Sequence, residues 1–209
     1  MNIGIFGGAF NPVHNGHLHL INQLIRFAIN GIDKLIVVPT AVPPHKDSVD
    51  LISGEHRINM LKLAVFDNNN YDVEIAHKIE ISTIEFESHK KSYTYNTLEK
   101  LKRIYPNDNF FLFMGSDQIL NFQKWYKYKK ILKLAEVMAI TRNENEQETV
   151  RQFLLENQED LMHKVSIMVA KPTVVSSTEI RNKVKSGESI KGLVPDSVEA
   201  YIKENKLYV

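Results

Sequence analysis

The chain has 209 residues, 43% of them hydrophobic and 24% charged, a formal net charge of +1 and no cysteine. That length suits one sizeable core and that composition gives no ground for a disordered tract. The charge balance leaves no footprint for long nucleic acid, the lack of cysteine excludes disulfides and thiolate chemistry and points to a reducing compartment, the cytoplasm, and no apolar run reaches the roughly 18 residues of a membrane span.

"NIGIF" (2–6) reads as a strand; it follows Met1 directly, so no leader peptide is expected. Leu18, Ile21, Leu24, Ile25 and Ala28 then mark one helix face, and "DKLIVVPT" (33–40) is the next strand. A long Pro-containing loop (41–54) precedes a helix over about 55–66 with Ile58, Leu61 and Val65 on one side; a loop of that length in a compact domain is usually functional or disordered. "YDVEIAH" (71–77) and "KIEISTIEFE" (78–87) read as strands, "YTYNTLEKLKRIY" (93–105) as a helix, and "NDNFFLFMG" (107–115) as a central strand covered on both faces. "KKILKLAEVMAITR" (129–142) runs helix into strand, 143–160 is a polar surface helix with loose ends, and "HKVSIMVA" (163–170) is the last strand. "SSTEIRNKVKSG" (176–187) and "PDSVEAYIKENKLY" (195–208) are helices, opened by Ser-Ser-Thr and Pro195, with Gly187 past the end of the first. Strands alternating with helices predict an α/β fold, an open parallel sheet with helices on both faces, in a single domain whose residues 176–209 form a small helical part. Ligands of such sheets sit beyond the carboxyl ends of the strands.

The first strand opens into "GGAFNPVHNGHLHL" (7–20). Gly7 and Gly8 let a ligand approach bare N–H groups, or make a tight turn. Their G-x-x-G-G spacing matches neither G-x-G-x-x-G nor a Walker A loop. His14 and His17 flank a helix start near Asn15 or Gly16, where free N–H groups and the dipole favour an anion, so both imidazoles can converge on one phosphate. His19, about 200° round the helix from His17, points away. Lys46 is a point charge for a phosphate or carboxylate, or a solvated loop lysine. Hydroxyls over 92–94 suit a helix cap, and Asp117 suits ribose hydroxyls, a metal or an N-cap. Trp125, the only tryptophan, reads as partial core of an exposed amphipathic helix. Arg142 and Arg181 offer bidentate donors to phosphate, and Ser176 and Ser177 add a helix N-terminus.

The opening stretch resembles the signature of the nucleotidyltransferase superfamily, Gly-x-Phe-x-Pro-x-His-x-Gly-His, as Gly8, Phe10, Pro12, His14, Gly16 and His17. Five further stretches, "PPHK" (43–46), "SYTYNTL" (92–98), "GSDQ" (115–118), "KWY" (124–126) and "SSTEIR" (176–181), resemble in order the nicotinate mononucleotide adenylyltransferase family. Two departures stand out: Asn96 replaces the usual Asp, and "ESHKK" (87–91) approaches "SYT" without glycine.

The resemblance implies a Rossmann-like fold and transfer of the adenylyl group of ATP to nicotinate mononucleotide, giving nicotinate adenine dinucleotide and pyrophosphate in NAD biosynthesis. Mg²⁺ is implied, held mainly by the ATP phosphates and not by a protein metal site. No nucleic acid or membrane partner is implied, and a homodimer is left open. By the same resemblance His14, His17 and Arg181 are catalytic. Gly7, Gly8, Phe10, Asn11, Gly115, Asp117, Arg142, Ser176 and Ser177 bind ATP. Lys46, Thr94, Trp125 and Tyr126 bind nicotinate mononucleotide, Thr94 at the nicotinate end and Trp125 stacked on the pyridine ring. The competing readings are a nicotinamide mononucleotide or pantetheine-phosphate adenylyltransferase and, from another class, a non-catalytic nucleotide-binding module.

Overall fold

The computed structural model describes residues 1–27, 32–44, 51–66, 71, 73–88, 90–171 and 175–209. Its strands are β1 (Asn2–Gly8), β2 (Lys34–Pro39), β3 (Ile79–Ile81), β4 (Asn109–Gly115), β5 (Glu136–Thr141) and β6 (Val165–Val169). All pair in parallel, in the order β3-β2-β1-β4-β5-β6. Sequence order therefore runs outward in both directions from β1 and β4, and the gap between their carboxyl ends is the switch point where ligands of such sheets bind.

The period of two along each strand divides the core between two faces. Phe6, Leu35, Val37, Phe113, Ile140 and Met168 point to one side, where they pack with buried residues of α1 (Asn15–Phe27), α2 (Gly54–Phe66), α9 (Ser177–Lys185) and α10 (Asp196–Glu204). Ile3, Ile5, Ile36, Val38, Leu112, Met114 and Val137 point to the other, against α4 (Thr94–Ile104), α6 (Tyr128–Leu134) and α7 (Glu144–Glu156). Burial on both faces is why these strands read as unbroken apolar runs, each fully buried Ile or Leu contributing about 2 kcal/mol. The helix face predicted from Leu18, Ile21, Leu24 and Ile25 is buried; Ala28 lies outside the described residues.

Three expectations are corrected. Of residues 71–77, those described (71 and 73–77) form no strand: α3 (Val73–Ala76) is one helical turn before β3, a short β-branched run whose period cannot separate helix from strand. The predicted strand over 78–87 is split, β3 ending at Ile81 and a 3₁₀ turn covering Ile84–Glu87, because Ile84 turns into the second core. The segment after β5 is not loose-ended: the Asn143 side chain accepts from Glu146 N–H and caps α7, Val150 and Leu154 are buried, and α8 (Gln158–Leu161) anchors its far end through buried Leu161. Sequence reading also passed over α5 (Ser116–Ile119), a single turn on the end of β4. No helix among the described residues is long and apolar enough to cross a membrane.

Candidate active site

A cleft of about 370 Å³ opens at the switch point. Gly7, Gly8 and Ala9 from the end of β1 form one wall, Gly115 and Gln118 the β4 side, and Thr94, Trp125 and Tyr126 the far end. Gly7 faces open space, where an added Cβ would meet nothing nearer than the Val38 carbonyl oxygen at 3.9 Å. Gly8 is bare for packing, since a Cβ there would lie 3.0 Å from the Phe10 ring.

Phe10, itself in left-handed backbone at φ 46°, is 1% exposed and lies beneath the glycines, its ring centroid 5.0 Å from that of His17. Beside the cleft, the His14 and His17 rings stack with centroids 3.7 Å apart. Each Nδ1 accepts from the other residue's backbone N–H at 3.3 Å. An accepting Nδ1 carries no proton, so the proton of each neutral ring sits on Nε2. Burial holds the His14 imidazole at about 4, and burial with the neighbouring His14 ring keeps His17 well below its ordinary value. At neutral pH the pair therefore presents uncharged N–H donors, not cations. It stands at the start of α1, whose first turn carries no acid to occupy the positive end of the dipole. His19 is exposed, as its angular position predicts.

The turn between Phe10 and His14 is held from the far end of the chain. Arg181 Nη1 donates to the Asn11 carbonyl at 2.9 Å and the Ser177 hydroxyl to the Pro12 carbonyl at 2.9 Å, across a cis Asn11–Pro12 peptide. Ser176 caps α9 by accepting from Glu179 N–H. Asn11 is 5% exposed.

The remaining sequence-predicted residues are spread more widely. Asp117 is exposed; it does not cap α5, and its carboxylate folds back over Gly115, 2.7 Å from where a Cβ would stand, while accepting from Gln118 Nε2. Arg142 is exposed just past β5, its backbone N–H donated to Glu146. The hydroxyls of 92–94 do not cap α4, whose cap residue Tyr93 makes no side-chain cap bond; Ser92 Oγ instead accepts from Val42 N–H. Trp125 follows a 3₁₀ turn (Phe122–Lys124) in extended backbone, half-buried against Phe122, with its remaining surface in the cleft. Tyr126 stacks near Tyr93 at 4.8 Å. Asn96 is exposed on α4 and absent from the cleft wall, so that departure from the family pattern falls outside the pocket. Lys46 lies outside the described residues.

Two charged residues of the site were missed. Glu85 lines the cleft and accepts from Thr97 Oγ1 at 2.7 Å and Ala41 N–H at 3.3 Å. Arg57 is 1% exposed and donates to the carbonyls of Ala9, Thr40 and Ile52 at 2.9, 2.6 and 3.2 Å. It ties the end of β1 to Thr40, just past β2, and to Ile52, just before α2. A signal for it existed: the apolar stripe of Met60, Leu61, Ala64 and Val65, extended back one turn, lands on position 57.

A sequence model of the cytidylyltransferase-like family matches residues 5–183. A nicotinate-nucleotide adenylyltransferase of Bacillus subtilis is 36% identical, covering 99% of this chain and 97% of its own. A probable nicotinate-nucleotide adenylyltransferase of Clostridium tetani is 35% identical, covering 98% and 97%. In fold, the chain is similar to the Plasmodium falciparum nicotinic acid mononucleotide adenylyltransferase complexed with NaAD, at a TM-score of 0.79 and 24% identity over 99% of this chain and 97% of that one. With the matched region running from β1 through most of α9, and so taking in both the glycine edge and the serines and arginine that hold the histidine turn, the chain belongs to the cytidylyltransferase-like family.

Proposed function

We propose that the cleft and the adjoining histidine turn transfer the adenylyl group of ATP to nicotinate mononucleotide. The chain is an enzyme, a nucleotidyltransferase of NAD biosynthesis that makes nicotinate adenine dinucleotide and pyrophosphate. The observation that carries the site assignment is the stacked pair His14 and His17, held neutral with Nε2–H donors at an acid-free helix start beside the bare edge of Gly7 and Gly8.

In this reading a 5′-phosphate oxygen of nicotinate mononucleotide attacks the α-phosphorus of ATP. One P–O bond forms as the bond to the bridging oxygen breaks, and pyrophosphate leaves. The nucleophile is already an anion, so alignment and charge stabilisation supply the acceleration and no covalent intermediate is needed. His14 and His17 donate to the ATP phosphates, His17 most strongly as charge builds. Backbone N–H groups of Gly7 and Gly8 let the triphosphate lie close, with the Phe10–Asn11 turn, Ser176 and Ser177 shaping its far side. Arg181, with Arg142 further out, balances its charge. Gly115 and Asp117 take the ribose side. Thr94, Trp125, Tyr126 and Lys46 take the nicotinate nucleotide.

A divalent cation accompanies ATP in this family; we take it to be Mg²⁺, which when bound neutralises the departing pyrophosphate. In this reading the ATP phosphates carry the metal; among the described residues no three His, Asp or Glu side chains gather that could hold an ion. Residues 1–209 act as one nucleotidyltransferase unit, with 176–209 its helical part, and the cysteine-free chain suits the cytoplasm.

Trp125→Ala tests the acceptor assignment. Loss of one stacking platform should raise KM for nicotinate mononucleotide about tenfold and leave KM for ATP within about twofold. Equal rises in both constants, or no rise in either, would contradict it.

A further inference from the structure

The last residues of the chain return to the turn that leads into the histidine pair. After α10, Lys206 and Tyr208 both adopt left-handed backbone, at φ 49° and 63°. Two non-glycine residues in that region within three positions persist only where the surroundings fix them. Two contacts do so here. Leu207 is 7% exposed in the first core and its N–H bonds the Ile202 carbonyl, and the Tyr208 hydroxyl donates to Asn11 Oδ1 at 2.9 Å across 197 residues of sequence. Asn11 is the residue whose carbonyl Arg181 holds, and Arg57 and Arg181 both act electrostatically on the phenol. Burial raises the Tyr208 hydroxyl above its ordinary range, which keeps it protonated and a donor.

We propose that Tyr208 is a positioning residue for adenylyl transfer, acting through the Asn11 amide to fix the turn between Phe10 and His14. The inference rests on the reading of that turn as the phosphate site. An amide whose oxygen is held by a half-buried donor has one orientation, and the turn it belongs to is then set by the end of the chain as well as by Arg181 and Ser177. A purely structural role, covering the core, belongs to the ring and to Leu207 and does not need the hydroxyl.

Tyr208→Phe in the full chain separates the two, because it removes one oxygen and keeps the ring. Rates of pyrophosphate release should show kcat/KM for ATP lower by about tenfold, with KM for nicotinate mononucleotide unchanged. Removal of residues 208–209 should cost at least as much. In an Asn11→Ala background, Tyr208→Phe should cost nothing further, since the residue it acts through is gone. Wild-type kinetics in Tyr208→Phe, or a full additional loss in the double variant, would overturn the proposal. If the wild-type chain itself released no pyrophosphate, the functional reading would fail first. Calorimetric binding of Mg-ATP would then decide the inference alone, weaker binding by Tyr208→Phe supporting it and equal binding overturning it.

Discussion

Replacing His17 with alanine is expected to lower kcat about a hundredfold to a thousandfold while KM for ATP changes by less than about threefold. The asymmetry follows from what the ring offers. A neutral imidazole with its proton on Nε2 gives a modest hydrogen bond to ground-state ATP, whose phosphates have other partners. It gives a much stronger one as negative charge concentrates during displacement at the α-phosphorus. The substitution also frees the His14 N–H, which now donates to His17 Nδ1 at 3.3 Å, and removes the face on which the His14 ring lies. Steady-state kinetics at saturating nicotinate mononucleotide, with thermal denaturation alongside, separate the chemical loss from a folding loss. An unchanged kcat, or a loss carried wholly by KM, would remove His17 from the transition state.

The second large effect is on stability. Arg57→Met should destabilise the fold by about 3 kcal/mol or more, read from urea denaturation, because three carbonyls that now accept from one buried guanidinium would be left without a donor. Burial already makes the cation costly and lowers its pKa, a cost offset by those bonds, by the neighbouring Glu85 and Tyr208, and by the Phe86 ring face 5.6 Å away. Gly54 makes room for that ring; a Cβ there would stand 2.0 Å from it. Arg57→Lys should recover only part of the loss, since a point donor cannot span carbonyls on three segments. A change below about 1 kcal/mol in Arg57→Met would mean that water replaces the guanidinium and that the loop ends are held by other contacts.

What the sequence made legible follows the reach of each signal. The unbroken apolar runs of β1, β2 and β4 and the 3.6-residue stripe of α1 are local patterns repeated over several residues, and both appear as read. The single turns α3 and α5 are too short for any period to show, and the 3₁₀ turn at Ile84 exists because that side chain finds the second core. In the site, the motif residues around Gly7 to His17 are contiguous and could be read together. Arg57, Glu85 and Tyr208 come from α2, the turn before α4 and the chain end; only packing brings them to the cleft and to the loops that frame it. Arg57 further hides because a charged residue on a helix reads as solvated until its place in the stripe is noticed. The capping expected of residues 92–94 fails for a related reason: Ser92 is spent on Val42 across the cleft mouth, a contact 50 residues away in sequence.

The most direct measurement is pyrophosphate release from ATP and Mg²⁺ by the full chain, with nicotinate mononucleotide, nicotinamide mononucleotide and phosphopantetheine supplied in parallel. Release with nicotinate mononucleotide, far exceeding that with the other two and matched mole for mole by nicotinate adenine dinucleotide, is the result the site predicts. Preferential release with phosphopantetheine, or tight ATP binding with no release from any acceptor, would contradict it.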